Sequence, residues 1–231
     1  MNCDRDDAPL HDFIGADWST NAYPRGVELF QQRQFLDEVF FIKTGTVKLQ
    51  YVGHTGAESI LGLAFAGQWL GTAPTMARRA SPVSAITCSV VSVKRMPARA
   101  FRALLDNHPE WSLQMHQMHS AELCRQLGWT GQMNGSDSRD RLRRVIRQFI
   151  DALRVQNSGR GFKLLLPLHQ WELAKLLAVT PEHLCRLLKD IQQQGLIRRE
   201  KGWIVVPDVQ RLCPDSEWSE AACFSAPADA G

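Results

Sequence analysis

The residues best suited to chemistry lie on one face of a predicted helix in the segment V-T-P-E-H-L-C-R-L-L-K-D-I, residues 179–191. Leucine and isoleucine recur there at spacings of three and four residues, which predicts one buried stripe. Thr180 can cap the helix and Pro181 can occupy its first position, where the missing N–H costs nothing. The opposite face carries side chains that donate, accept or can be oxidised: Glu182, Cys185, Arg186 and Lys189.

This polar face has the chemistry needed to contact base edges in DNA. An arginine such as Arg186 can donate two parallel hydrogen bonds to guanine O6 and N7. A carboxylate one helical turn earlier, as at Glu182, can accept a hydrogen bond from a cytosine amino group. The alternative is an ordinary i,i+4 ion pair on a solvated helix, which adds little to stability. The neighbouring elements distinguish the two interpretations.

The flanking sequence predicts a winged helix-turn-helix. A short helix at 170–177 precedes the segment, and two short strands around a tight turn at 201–202 follow it. In this motif the second helix enters the major groove, while other residues hold phosphates. The complete predicted DNA-contacting set is Thr180, Pro181, Glu182, His183, Arg186, Lys189, Arg198, Arg199, Lys201, His169 and Gln170.

The charge distribution favours the same interpretation. Residues 138–206 hold 14 lysines and arginines against 6 aspartates and glutamates, a net charge of +8, although the whole chain carries only +3. A basic segment joined to an acidic remainder is typical of a polyanion-binding part attached to a part with another task. The alternative is a solvated basic surface without a partner.

Upstream, the sequence predicts strands and then helices. Short apolar or alternating runs at 39–43, 46–52, 59–65 and 84–93 are separated by glycines, as in an antiparallel sandwich or jelly roll. A short helix starts at Pro97 and a long one at about Pro109. The break N-G-S-D at 134–137 precedes a further helix, for which Asp137 or Ser138 can act as cap.

Composition excludes several classes of function. No apolar run approaches the roughly 18 residues of a membrane span, and the N-terminus does not read as a signal peptide, so we expect a cytoplasmic protein without a membrane partner. No two of the six cysteines are close enough for a C-x-x-C metal motif. A cupin-like metalloenzyme would need several histidines on its strands, and 39–93 contains only His54. We therefore predict no enzyme and no catalytic residues.

The stretch L-A-K-L-L-A-V-T-P-E-H-L-C-R-L-L-K-D-I-Q-Q-Q-G-L-I resembles the DNA-binding signature of the CRP/FNR transcription regulators. Upstream, F-F-I-K-T-G-T-V-K-L through G-Q-W-L-G resembles the family's cyclic-nucleotide-binding-like β-roll, with glycines on its turns at Gly45, Gly56, Gly67 and Gly71. The resemblance covers residues 25–206. It implies a homodimer bound to a two-fold symmetric operator on double-stranded DNA.

This resemblance also implies the roles of individual residues. Glu182 and Arg186 fall on the two positions most tied to reading a T-G-A core in each half-site. Ala178 occupies a turn position where the family often has glycine. Pro181 replaces a residue that often adds a base contact, so the half-site should be less fully specified there. An activator would also have RNA polymerase as a partner.

The implied fold class is α+β, with an N-terminal jelly roll or β-roll, a long dimerisation helix and a C-terminal winged helix-turn-helix. The predicted segments are a flexible N-terminus at 1–22, a β-roll sensor-like domain at 23–108, the dimerisation helix at 109–134, the DNA-binding domain at 137–207 and a flexible tail at 208–231. A non-regulatory protein-docking module is the alternative from another class.

The segment G-T-A-P-T-M-A-R-R-A-S-P, residues 71–82, argues against cyclic AMP as effector. In family members that bind it, a glutamate for the ribose and an Arg-Ser pair for the phosphate follow the glycine. Here Thr72 replaces the glutamate and Ala80 follows Arg79. Residues that would line an effector pocket are Gly71, Thr72, Arg78, Arg79, Ala80, Ser81, Leu123, Gln126 and Leu127.

Two other sensing chemistries stay open at this point. His116 and His119 lie three residues apart beside methionines on the long helix, and imidazole with thioether can ligate haem iron or another metal. We favour methionines that fill a helix seam and predict no metal site, with haem open as a cofactor. Cys185 and Cys124 could serve a thiol-based redox sensor, or be small tolerated residues. A degenerate pocket could also need no ligand.

Overall fold

The structure is a computed structural model that describes residues 18–153, 155–157, 159 and 161–214, without the side chains of 132–134. The chain forms two compact units. The first comprises the described residues up to Tyr51 together with Leu63–Met118. The second comprises Val52–Gly62 and the described residues from His119 onward. The strands of the N-terminal region precede the longer helices, as predicted, and the fold is α+β.

Eight strands of the N-terminal region form two four-stranded antiparallel sheets, as the jelly-roll prediction requires. One sheet has the order β1-β8-β3-β6 and the other the order β2-β7-β4-β5. The strands are β1 (Ser19–Tyr23), β2 (Glu28–Phe30), β3 (Glu38–Thr44), β4 (Thr46–Val52), β5 (Glu58–Phe65), β6 (Trp69–Leu70), β7 (Ser84–Thr87) and β8 (Val91–Pro97).

Strand β3 shows why its sequence is a continuous apolar run. Phe40 and Ile42 belong to the buried cluster between the sheets, whereas Val39 belongs to a second cluster with Trp111 and Met115. Alternate residues of a strand point to opposite faces, so a strand buried on both faces needs apolar residues throughout. Gly45 then turns the chain at φ +94°, where a Cβ would lie 2.4 Å from the carbonyl oxygen of Val90.

Two boundaries in this region differ from the prediction. Ser19–Tyr23 pairs along its length with β8, so the chain enters the sheet before residue 23; residues 1–17 lie outside the described residues. The predicted strand 84–93 is two strands, because β7 pairs with β4 in one sheet and β8 pairs with β3 in the other. An apolar run carries no sign of where the chain changes sheets.

Three helices accompany the strands: α1 (Thr72–Ala77), α2 (Ala98–Asn107) and α3 (Pro109–Gly135). The short helix α1 was not predicted. Helices α2 and α3 begin where proline suggested. Among the described residues, no helix combines the length and apolar character that crossing a bilayer requires.

The second unit contains the predicted winged helix-turn-helix. Its elements are α4 (Ser138–Ala152), β9 (Phe162–Leu164), α5 (Gln170–Leu176), α6 (Pro181–Gln193), β10 (Arg198–Glu200), β11 (Trp203–Val206) and α7 (Val209–Leu212). Strands β10, β11 and β9 form an antiparallel sheet in that order. Helix α4 contacts α6, β9 and α7 through a face on which Leu142, Ile146 and Phe149 are fully buried.

The start of the predicted tail is wrong. Asp208 accepts hydrogen bonds from the backbone N–H groups of Gln210 and Arg211 and so caps α7. Leu212 and Cys213 are buried, which anchors this turn in the core. Aperiodic sequence after Pro207 gave no signal for a helix of four residues. The rest of the predicted tail, 215–231, lies outside the described residues.

Candidate nucleic-acid interface

Helix α6 is built as the sequence predicted. Pro181 is at its first position, and the Thr180 side chain accepts a hydrogen bond from the backbone N–H of His183, 3.2 Å away. This satisfies one N–H that would otherwise lack a partner at the helix start. The predicted apolar stripe is buried: Leu184, Leu187, Leu188 and Ile191.

The face opposite that stripe is exposed to solvent. Glu182, Arg186 and Lys189 follow one another at spacings of four and three residues, and all three are exposed. Side chains at this spacing lie on one side of a helix. They form a row of one acceptor and two cationic donors that no described element covers. We call these three residues the reading row.

Glu182 is ionised under ordinary conditions. Its own backbone N–H, the hydroxyl of Thr180 and the positive charge of Arg186 lower the pKa of its carboxyl from the usual 4.5, against a small opposing effect of desolvation. The carboxylate is thus a pure hydrogen-bond acceptor, as the amino group of cytosine requires.

The turn between α5 and α6 holds the helix pair together. Ala178 has φ +52°, in the left-handed region, so its conformation is the one that the family's common glycine adopts freely. Its N–H donates to the carbonyl of Lys175 at 3.2 Å, and that of Val179 donates to Ala174 at 3.0 Å. At the other end of α5, the backbone N–H of His169 donates to Glu172, whose side chain is buried.

His169 and Gln170, both predicted to contact DNA, are exposed at the start of α5. Gln170 extends toward the reading helix, with Oε1 3.9 Å from Sγ of the exposed Cys185. Pro181 is also exposed, at the head of α6. His169, Gln170 and Pro181 therefore lie on the side of the helix pair where the first turns of α6 are exposed.

His183 is the exception in the predicted set. Nε2 of its imidazole lies 2.9 Å from Oγ of Ser138, the first residue of α4. The side chain is half-buried and faces its own unit. His183 was predicted to contact DNA; in the structure its side chain lies about 100° around the helix from that of Glu182 and against the start of α4.

The wing is a two-residue hairpin. Lys201 and Gly202 have φ of +47° and +88°, the sign that a tight I′-type turn requires at both positions. Arg198 and Arg199 precede it and are exposed, as is Lys201. Glu200 sits opposite Trp203 in the β10–β11 register, so the wing also carries one acidic residue.

Sequence reasoning missed two exposed tryptophans near this surface. Trp171 on α5 is 44% exposed, with Nζ of Lys175 4.8 Å from its ring centroid. Trp203 on β11 is 39% exposed, with Nζ of Lys163 5.2 Å away. Each is an aromatic surface next to a cation, and a lysine in such a position can contact a phosphate. For Trp171, the signal available in the sequence was a large aromatic residue at an otherwise polar helix start.

Part of the basic charge serves the fold. On α4, Arg143 and Arg147 donate to the carbonyl oxygens of Leu212 and Cys213, and Arg147 also pairs with Asp151. Arg141 donates to the carbonyl of Leu177 at 3.2 Å. The +8 excess therefore overstates the charge available to DNA, because these arginines hold α4 to α7 and to the end of α5.

The predicted effector residues have different environments. Thr72 and Ser81 are buried in the first unit, whereas Arg78 and Arg79 are exposed and Ala80 is half-buried. A Cβ on Gly71 would lie 2.9 Å from Leu36 and 3.8 Å from Phe30, so side chains fill the space beside it. Leu123, Gln126 and Leu127 are exposed on the part of α3 that belongs to the second unit.

The residues predicted for haem or metal binding and for thiol-based sensing also have different environments. Met115 is 3% exposed in the core, whereas the neighbouring His116 is exposed, so these two side chains, about 100° apart around α3, have different surroundings. Among the described residues, no three histidine, cysteine or acidic side chains converge as metal ligands do. Cys185 is exposed and Cys124 half-buried, both as free thiols.

Two family models match the chain. One, for the cyclic nucleotide-binding domain, matches residues 20–108. The other, for the Crp-like helix-turn-helix domain, matches residues 140–214. The second match includes α7, which agrees with the corrected end of the DNA-binding region.

The chain is similar to curated transcription regulators and to a solved structure. A CRP-like cAMP-activated global transcriptional regulator of Mycobacterium tuberculosis is 24% identical over 190 residues, covering 82% of this chain and 84% of the relative. The transcriptional activator protein anr of Pseudomonas aeruginosa is 26% identical over 194 residues, covering 82% and 77%. The structure of FixK2 from Bradyrhizobium japonicum superposes with a TM-score of 0.73 at 16% identity, covering 84% and 95%, and shows the fold.

Proposed function

Because the chain belongs to the CRP/FNR family of DNA-binding transcription regulators, we propose that it reads a two-fold symmetric operator as a homodimer. The observation that carries this proposal is the reading row. Glu182, Arg186 and Lys189 are exposed, in line and uncovered on the second helix of a winged helix-turn-helix. In this motif that helix enters the major groove.

The proposed division of labour follows from donor chemistry. Arg186 donates in bidentate fashion to a guanine, and Glu182 accepts from a cytosine one turn away. Lys189, Arg198, Arg199 and Lys201 contact phosphates, which fix the protein's position without reading sequence. A half-site with a T-G-A core would supply both a guanine and, on the complementary strand, a cytosine. The side chain of Pro181 has no hydrogen-bonding group, so it can make only an apolar contact with a neighbouring base pair.

Helix α3 supports the dimer. Leu113, Leu123 and Leu127 are 60%, 57% and 63% exposed and lie within about 80° of one another around α3, away from the buried Trp111 and Met115. Solvent-exposed leucines repeated along one side of a long helix are typical of a helix seam. Pairing two copies along α3 would bury this stripe. A two-fold axis then presents two reading helices to half-sites roughly 34 Å apart.

We place this activity in the cytoplasm. Activation of transcription would add RNA polymerase as a partner. Sensing stays open: Thr72 at the glutamate position favours an effector other than cyclic AMP, or none. Haem- and thiol-based sensing stay open as alternatives.

The test of base reading is Arg186→Ala on an operator selected from random duplexes. Loss of a bidentate guanine contact should weaken operator binding by about 1–3 kcal/mol, roughly 5- to 150-fold, and leave non-specific DNA nearly unaffected. Fluorescence anisotropy against both DNAs at one fixed salt concentration measures this.

Lys189→Ala is the matched control on the same helix face. Loss of a phosphate contact should weaken binding to both DNAs similarly and reduce the slope of log affinity against log salt by about 1. Equal losses on operator and non-specific DNA for Arg186→Ala would contradict its base-reading role.

A further inference from the structure

The first turn of α6 is joined to the first turn of α4 through one side-chain pair. Nε2 of His183 lies 2.9 Å from Oγ of Ser138, although 45 positions separate the two residues in sequence. Oγ of Ser138 in turn lies 3.2 Å from Oδ1 of Asp137. The three side chains therefore form a continuous hydrogen-bonded chain from the reading helix to the residue that precedes α4.

The chemistry of the groups fixes the direction of this chain. An ionised carboxylate only accepts, so the Ser138 hydroxyl donates its proton to Asp137. Desolvation opposes ionisation of Asp137, but hydrogen bonds from the Ser138 side chain and from the backbone N–H groups of Arg139 and Ser138 outweigh it and lower its pKa. Ser138 Oγ then accepts a hydrogen bond from His183, which places a proton on Nε2 of the imidazole.

The same turn of α4 makes two further contacts with the helix pair. Nε of Arg139 lies 2.5 Å from Oδ2 of Asp190 on α6. Arg141 joins the carbonyl of Ser136, at 2.8 Å, to the carbonyl of Leu177 at the end of α5. The start of α4 thus holds α6 at two points and α5 at one. Of these contacts, the His183 one lies closest to Glu182.

We propose that His183 is a positioning residue for DNA reading: its Nε2–H, accepted by Ser138, sets the orientation of α6's first turn and hence of Glu182. This inference rests on the proposed function, because the property that His183 controls is discrimination between operator and other DNA. We call the pair the Ser138–His183 latch. The imidazole makes no base contact in this arrangement.

The matched variants are His183→Gln and His183→Leu. The side-chain amide of glutamine places an N–H at nearly the same distance from the backbone as Nε2 and so keeps the hydrogen-bond donor. Leucine keeps a side chain of similar bulk but has no donor. Loss of one intramolecular hydrogen bond predicts that His183→Leu weakens operator binding about 3- to 10-fold, with non-specific binding within about twofold of wild type. His183→Gln should restore most of the operator affinity.

Ser138→Ala supplies the other side of a double-mutant cycle. We expect His183→Leu, Ser138→Ala and the double variant that combines them to lose similar operator affinity. Each of the three removes the same hydrogen bond. Affinities are compared at a temperature at which circular dichroism shows every variant folded. The salt slope should stay unchanged, whereas loss of an imidazole–phosphate contact would lower it by about 1.

Long-range ¹H–¹⁵N NMR on the free protein tests the latch without DNA, and we expect Nε2 of His183 to carry a proton. Additive losses in the cycle, failure of glutamine to rescue, a reduced salt slope or an Nδ1–H tautomer would each overturn the latch. A wild-type protein with no preferred duplex would instead overturn the proposed function, while the NMR measurement and a cycle on unfolding free energies would still decide the latch.

Discussion

At the scale of single residues, similar positions in the sequence have different surroundings in the structure. Glu182 and His183 are neighbours, yet Glu182 is exposed on the reading row and His183 contacts Ser138. On α4, Arg141 and Arg147 contribute to the basic charge that suggested DNA binding, yet they donate to carbonyl oxygens of their own unit. Residue type therefore identified which groups can donate or accept hydrogen bonds. The direction of each side chain decided which partner it contacts.

The ionisation of Glu182 makes a prediction at this scale. Its pKa is lowered chiefly by its own backbone N–H, then by Thr180 and Arg186, so the carboxylate should titrate below pH 4.5. A lowered folded-state pKa favours the native state above about pH 4.5, and this contribution is lost as pH falls through the folded pKa. Operator affinity should consequently show no Glu182 titration between pH 6 and 8.

NMR titration of the Glu182 side-chain ¹³C carboxyl signal measures this pKa directly. Thr180→Val removes the hydroxyl while keeping the branched shape, and should move the midpoint up toward 4.5. A wild-type midpoint at or above 4.5 would contradict the hydrogen-bonding pattern of this first turn.

At the scale of elements, the turn of the helix-turn-helix carries avoidable strain. Ala178 has φ +52°, where a Cβ meets the neighbouring carbonyl oxygen. Replacement by glycine removes a cost of roughly 1–2 kcal/mol but adds about 0.4–1 kcal/mol of unfolded-state entropy. We expect Ala178→Gly to raise the free energy of unfolding by about 0.5–1 kcal/mol in urea denaturation.

Ala174→Gly is the control for this substitution. Ala174 is buried within α5 and has no left-handed backbone, so glycine there should destabilise the protein by about 1 kcal/mol. Equal destabilisation at both positions would show that the turn gains nothing from glycine.

At the scale of the whole molecule, α3 leaves its apolar stripe without a described partner. Burying a leucine side chain contributes about 1.5–3 kcal/mol, and a two-fold seam buries each residue twice. Leu127→Glu should therefore weaken dimerisation at least about 100-fold. Sedimentation velocity across a concentration series measures the shift from dimer to monomer.

Ala121→Glu provides the comparison, because Ala121 is exposed on α3 about 120° away from Leu127. It should leave the dimer intact. An unchanged dimer with Leu127→Glu would place the interface elsewhere. Operator affinity should fall together with dimerisation in Leu127→Glu, since one reading helix contacts only one half-site.

The sequence by itself determined the periodic elements. The spacing of leucines in α6, the capping pair Thr180–Pro181 and the Lys201–Gly202 turn each depend on neighbours within a few residues, so their signals are local. The order of strands and helices likewise indicated an α+β fold. The resemblance of residues 25–206 to one family then predicted that Glu182 and Arg186 read bases.

Tertiary structure decided whatever depends on residues far apart in the chain. The division of 84–93 between two sheets, the anchoring of α7 by Leu212 and the contact of His183 with Ser138 all require partners that local periodicity does not encode. The filled space beside Gly71 is of the same kind, because Leu36 and Phe30 reach it from other elements. A sequence pattern specifies which face of a helix is apolar, but only packing specifies what lies against each side chain.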